Sequence, residues 1–233
     1  GLNTSEYRGY KCAPVLLDYL ATLPPEQRVH LTAHSLGNVV MMEAIKLGAD
    51  IEEAIFQVAA VPAEAFDERD ILKLPTMAHI NTPEFADEMG YEGYLADTDE
   101  RIYVLYNPRD VTFFGWNILQ KEAKPFRSWT RRYVYRPDQP EGERIRLKYG
   151  FFFSRPVTDP HEAMAYVARA RTHALGAESR TRGVVHESFS MDRKPFEHGK
   201  GHILMWSDDP QNTLPYYNLL LDLMNLRHNS LAQ

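Results

Sequence analysis

The sequence predicts an α/β fold built on a mostly parallel sheet flanked by helices, and three stretches carry that expectation. In the first, a short alternating run, Val29, Leu31 and Ala33, meets a tight Ala33-His34-Ser35-Leu36-Gly37 turn and passes at once into an apolar, helix-forming segment that ends at Gly48. Strand, sharp turn and helix follow one another with nothing between them. In the second, Ala54 to Val61 is a continuous apolar run closed by Pro62, the pattern of a strand buried on both faces. The interval between these two stretches leaves room for one helix, which makes them consecutive parallel strands of a βαβ unit. In the third, Arg101 to Tyr106 is rich in β-branched and aromatic residues before Asn107-Pro108, and reads as a further strand.

The remaining elements follow in chain order. Tyr7 to Leu23 predicts an amphipathic helix with Val15, Leu16, Tyr19, Leu20 and Leu23 at helical spacing, stopped by Pro24-Pro25. The helix after Ser35 carries Val39, Val40, Met41, Met42, Ala44, Ile45 and Leu47, apolar nearly all round, so it belongs in the interior. Pro62 to Leu74 is polar with weak helical character. From Val111 to about Asp159 the pattern loses regular period while aromatic residues and arginines interleave, as in Trp129, Arg131, Arg132, Tyr133, Tyr135 and Arg136. Pro160 to Leu175 predicts a helix stopped by Gly176. Val184 to Met191 is the last strand, and Thr213 to Leu226 a closing helix with Leu214, Tyr217, Leu220, Leu221 and Met224 as its apolar stripe.

With 233 residues, 44% of them hydrophobic, the expectation is a single domain over 1–233 with a sizeable core. A net charge of -6, from 32 acidic and 26 basic residues, gives no general case for nucleic-acid binding. The charge is uneven, because residues 101–148 carry 11 Lys and Arg against 5 Asp and Glu. Basic residues among aromatics can hold single-stranded nucleic acid, but the acidic remainder argues against that use. The single cysteine, Cys12, excludes an intrachain disulfide and permits a reducing compartment such as the cytoplasm. No apolar run reaches the roughly 18 residues of a membrane span. The expectation is a soluble protein.

The Ala33-His34-Ser35-Leu36-Gly37 turn, set between a strand and a helix, resembles the nucleophile elbow of the α/β-hydrolase superfamily, with Ala33 where glycine is commoner. In such a turn the serine Oγ is exposed by a strained backbone, and small residues at 33 and 37 prevent collision with the neighbouring strand and helix. The other reading is that Ser35 is an ordinary helix N-cap, since serine before an apolar periodic run is a common start signal.

The resemblance implies a Ser, acid, His order along the chain. Asp110, just past the strand ending near Tyr106, stands where the acid is expected; equally, Asp is a favoured turn residue after Asn107-Pro108. Asp67 and Asp70 are further acids in a surface-like segment. The base is expected in a glycine-containing loop after the last strand, and His202, preceded by Gly201, fits. His198 is the runner-up, and His186 lies too early, inside the strand. The closeness of these three histidines raises metal binding, but no paired cysteines or HExxH spacing accompany them, so no metal or other cofactor is expected. The Leu36 amide would give one oxyanion donor.

The resemblance also implies several elements upstream of the serine strand, including the loop that donates the second oxyanion amide. With the serine at position 35, the expectation is a fragment of a longer polypeptide, or a sheet truncated at its start, whose activity requires an upstream segment or partner chain. Residues 111–158 are expected to form a cap or insertion whose aromatics line a site for an apolar acyl group; the alternative is a second small core with arginines facing water. Two functions follow. One is a serine hydrolase cleaving a small-molecule carboxylic ester through Ser35, His202, Asp110 and an acyl-enzyme intermediate, with amide or thioester cleavage using the same groups. The other is an inactive hydrolase-like module for binding or assembly.

Overall fold

The computed structural model describes residues 2–67, 93–113, 131–135, 138–140, 143, 145–149, 153–159, 161–162, 165, 174–178, 183–192 and 210–224. Strands β1 (His30–His34), β2 (Glu53–Gln57) and β3 (Arg101–Tyr106) lie where the three apolar stretches predict them. The described residues add an antiparallel meander, β4 (Arg131–Tyr135), β5 (Ile145–Tyr149) and β6 (Phe153–Pro156), and a final strand β7 (Val185–Ser190). The main sheet has the order β1-β2-β3-β7, and every neighbouring pair is parallel.

The layers follow from the two-residue period of a strand. Along β2 and β3, Ala54, Phe56, Ile102 and Val104 face one apolar cluster, whereas Ile55, Tyr103 and Leu105 face another. Helix α1 (Leu2–Leu20) and helix α2 (Gly37–Lys46) supply the first cluster through Tyr10, Ala13, Met41, Met42 and Ile45. The closing helix α3 (Pro210–Leu223) supplies the second through Tyr216 and Leu220. Helices on both faces explain why β2 is buried at all five positions and lacks any polar alternation of an exposed face.

Helix α2 is buried nearly all round, as its composition demands, and ends before Gly48, whose φ of 86° is the left-handed conformation of a helix-terminating glycine. Two apolar stripes differ from expectation. In α1, Val15 and Tyr19 are exposed, and the buried face is set by Tyr10 and Ala13 with Leu16, Leu17 and Leu20 beside them. In α3, Leu214, Tyr217 and Leu221 are exposed while Tyr216 is fully buried. Both helices carry more apolar residues than one face can bury, so periodicity alone offers two overlapping stripes. The burial of Tyr216 is explained by its phenol, which donates a hydrogen bond to Gln57 Oε1 on β2.

The segment expected to lack regular period contains the β4-β5-β6 meander. The signal was present in Ile145-Arg146-Leu147-Lys148-Tyr149, which alternates apolar and basic residues, and Leu147 is buried while Arg146 and Lys148 are partly exposed. The 62–67 stretch forms a 3-10 turn, Ala63–Phe66. The expected helix over 160–175 lies largely outside the described residues, although 161, 162 and 165 are helical; its expected end is corrected, because Ala174 is extended and bridges Pro62 and Gly176 lies inside the 3-10 turn Leu175–Ala177.

Candidate functional site at the carboxyl edge of the sheet

Because β1, β2, β3 and β7 are parallel, all four end at one edge, and in open α/β sheets that edge is where ligands bind. Ser35 is the first residue beyond β1, Asp110 follows shortly after β3, and the chain leaving β7 starts there at Met191. Strands β1 and β3 are separated by β2, a distance of about 10 Å at the usual strand spacing. A serine and an acid so placed require a third group between them to communicate. His202 and His198 both follow β7 in the chain and lie outside the described residues; His186 is inside β7, as expected, with its ring edge-on to Tyr103 at 5.5 Å.

Ser35 has φ 52°. For a residue with a Cβ this left-handed conformation costs roughly 1–2 kcal/mol, and it persists only where the surroundings impose it. Here the surroundings are the end of β2. The Ser35 N–H donates to the Gln57 carbonyl at 3.1 Å, and the Ser35 carbonyl accepts from Ala60 N–H at 3.1 Å and Asn38 N–H at 3.2 Å. The N-cap position of α2 is taken by Leu36, with no side-chain capping bond. The Leu36 amide belongs to the opening of α2, where helix N–H groups lack intrahelical acceptors. A Cβ added at Gly37 would stand 3.8 Å from the Ala33 Cβ, an ordinary contact. The two small residues face each other across the turn with room for a methyl, less tightly than the sequence suggested.

A second strained residue adjoins the first. Val58, just past β2, has φ 35°, an outlier for a β-branched side chain. Its N–H donates to Leu105 O at 2.7 Å, and the Leu175–Ala177 turn presses on it from the other side. A Cβ on Gly176 would lie 2.2 Å from Ala59 N and from Val58 C, so only glycine fits. Gly176 N–H donates to Ala59 O and its carbonyl accepts from Asn107 N–H, which ties the ends of β2 and β3 together.

Asp110 is 4% exposed, and its Oδ1 accepts the Thr112 N–H at 2.8 Å, capping a helical turn at 111–113. The turn-making role weighed from the sequence is therefore present. Beside it, Arg109 pairs with Asp192 at 3.3 Å, and Ser190 Oγ donates to the same Asp192. Asp67 closes the 3-10 turn, with its N–H on Glu64 O, and Asp70 lies outside the described residues.

Sequence reading missed the polar residues that hold this edge. Gln57, 1% exposed, accepts from the Tyr216 phenol and donates to Thr32 Oγ1. Burial raises the Tyr216 hydroxyl well above its ordinary value, so it remains a proton donor. Asn38, fully buried, makes two bonds to backbone carbonyls. The available signal was Gln57 as the one polar residue in the Ala54 to Val61 run, and Asn38 and Glu43 as polar residues in the mostly apolar segment after Ser35.

Among the described residues no group of three His, Cys, Asp or Glu side chains is arranged to hold a metal ion. Nor, among those residues, is any helix long and apolar enough to cross a membrane. No family model matches this chain, and neither a curated protein nor a solved structure matches it. What the structure establishes is a parallel sheet flanked by helices, consistent with the topology of the α/β-hydrolase superfamily.

Proposed function

We propose that this protein is a serine hydrolase acting on a carboxylic ester. The observation that carries the reading is the left-handed backbone of Ser35 between the end of β1 and the start of α2, at the carboxyl edge of a parallel sheet. Strain in a non-glycine residue at such a place is what a nucleophile elbow requires, and α2 takes its N-cap one residue later, at Leu36.

In this reading Ser35 Oγ attacks the ester carbonyl. His202, arriving after β7, takes the serine proton and later returns one to the leaving group. Asp110 fixes the imidazole tautomer; its position after β3 supports the role, and its Oδ1 contact to Thr112 holds the carboxylate in place while doing so. The Leu36 amide donates to the oxyanion. Loss of one such donor costs about 2.7–4 kcal/mol of transition-state stabilisation, so the second donor, supplied from outside the residues named here, decides the rate. The 111–158 insertion serves as a cap, and its β4-β5-β6 meander provides the scaffold for an aromatic lining that favours an apolar acyl group.

The test is covalent labelling with a fluorophosphonate. Label is expected on the wild-type protein, absent in Ser35→Ala and strongly reduced in His202→Ala. Label that persists in Ser35→Ala sinks the assignment. A protein that takes no label and turns over no short-chain p-nitrophenyl ester favours the alternatives, an inactive hydrolase-like binding or assembly module or a chain that needs an upstream segment for activity.

A further inference from the structure

We infer that Asn38 is a positioning residue for the Ser35 nucleophile, fixing the serine backbone against the end of β2; this rests on the hydrolase reading above. Asn38 is the second residue of α2 and is fully buried. Its Nδ2 donates to the Ser35 carbonyl at 2.9 Å and to the Gln57 carbonyl at 3.1 Å. One side-chain amide therefore bridges the turn that follows β1 and the last residue of β2.

Neither carbonyl depends on that amide for a partner. Ser35 O also accepts from Ala60 N–H and Asn38 N–H, and Gln57 O also accepts from Ser35 N–H. The Asn38 Oδ1, itself buried, has no hydrogen-bond partner among the described residues. Rotating the amide would aim Oδ1 at two other oxygens, so the donor orientation is fixed by its acceptors. A buried acceptor left unmatched is unfavourable; the other buried polar residue of α2, Glu43, has both carboxylate oxygens bonded, and the remaining buried positions Val39, Met41, Met42, Ala44 and Ile45 are apolar. Stability alone would favour an apolar residue here. What the amide supplies is geometry: two further constraints on a serine whose φ of 52° the chain would otherwise relax. A position that breaks a packing rule without a stability gain is expected beside a functional group.

The experiment compares wild type, Asn38→Ala and Asn38→Ser by p-nitrophenyl ester kinetics, fluorophosphonate labelling rate and thermal melting. Loss of a positioning contact is expected to lower kcat and the labelling rate on the order of tenfold to a hundredfold in Asn38→Ala, with KM within about twofold. The serine variant, whose hydroxyl can reach a carbonyl three or four residues back, is expected to recover part of that rate. It also keeps a polar group at the site should the alanine variant fold poorly. Equal kcat and labelling rate per folded molecule in wild type and both variants would overturn the inference and leave the hydrolase reading intact. Absence of Ser35-dependent labelling in the wild type overturns the reading itself, and the inference with it.

Discussion

The two edges of the parallel sheet are built on opposite principles. At the amino edge, the first residues of three adjacent strands stand side by side, His30 opposite Glu53 and Glu53 opposite Arg101. Their side chains pair directly: His30 Nδ1 lies 2.7 Å from Glu53 Oε2 and Arg101 Nη2 lies 2.6 Å from Glu53 Oε1, while Glu52 holds both Arg28 and Arg101. The backbone there is ordinary. At the carboxyl edge, two residues with side chains, Ser35 and Val58, are held at positive φ, while the buried Asn38 side chain donates to the Ser35 and Gln57 carbonyls and the buried Gln57 side chain bonds Thr32 and Tyr216. Charge set against charge is the mark of structure, even though Glu53 Oε1 meets Arg101 by proximity and without a hydrogen bond. Polar groups used to hold strained backbone mark the edge where chemistry is expected.

Substitutions at the two edges should separate stability from activity. The largest effect is expected from Gly176→Ala at the carboxyl edge, because its Cβ would meet backbone atoms, which cannot rotate away, at 2.2 Å. Loss of about 3 kcal/mol or more is expected, with ester turnover lost as well, since Val58 and Ala59 would be driven toward the serine turn. At the amino edge, Arg101→Leu leaves the fully buried Glu53 with His30 as its remaining ion-pair partner among the described residues. The cost is about 2 kcal/mol, below that of fully buried pairs because Arg101 is itself partly exposed. Melting should fall by about 4–8 °C while kcat and KM per folded molecule stay at the wild-type level. A drop in kcat comparable to that of Asn38→Ala would erase the distinction between the edges.

This division also accounts for what could be read from the sequence. Strands β2 and β3 were legible because a parallel strand covered on both faces needs continuous apolar residues, which the first half of Ala54 to Val61 and Arg101 to Tyr106 supply; β1 was legible from its alternation. The strand, turn and helix around Ser35 were legible from the alternating run, the small residues and the apolar segment that follows. The alternation in Ile145 to Tyr149 was overlooked because surrounding aromatics and arginines obscured a two-residue period that lasts only five residues. Asn38, Gln57 and Gly176 were not legible as parts of the site. Their roles depend on bonds and contacts to residues remote in sequence, and a single asparagine, glutamine or glycine carries no local period.

Replacing the serine by glycine sharpens the comparison in the opposite direction. Ser35→Gly removes the left-handed penalty of about 1–2 kcal/mol but adds the unfolded-state freedom of glycine, about 0.5–1 kcal/mol. The net expectation is a gain of about 0.5 kcal/mol, read as a melting temperature about 1–2 °C higher, in a protein with no fluorophosphonate labelling. Ser190→Gly in β7, where the backbone is not at positive φ, should instead lose stability. If both variants lose stability alike, Ser35 is not strained and the carboxyl edge is no different from the rest of the sheet.

The smallest expected effect concerns an ion pair of the first kind away from either edge. Asp159 Oδ2 sits 2.6 Å from Lys11 Nζ and accepts the Tyr7 hydroxyl at 3.0 Å, which ties the chain after β6 to α1. Burial by itself would raise the Asp159 carboxyl, but the Lys11 and Tyr7 hydrogen bonds outweigh it and hold the group below its ordinary value of 3.8. A depressed folded value means that the stabilisation is present above pH 3.8 and is lost as pH falls through the lower folded value. The same contact raises Lys11 above its ordinary 10.5, so its contribution is present below that pH and fades as pH rises through the raised value. Asp159→Asn should therefore melt slightly below wild type at pH 7, and the difference should vanish in acid once Asp159 is protonated in both folded and unfolded chains. Because Lys11 is about half exposed, added salt should also shrink the gap. A difference that stays constant from pH 7 into acid would show that Asp159 acts through packing or through its bond to the His161 N–H at 3.0 Å, and not through paired charge.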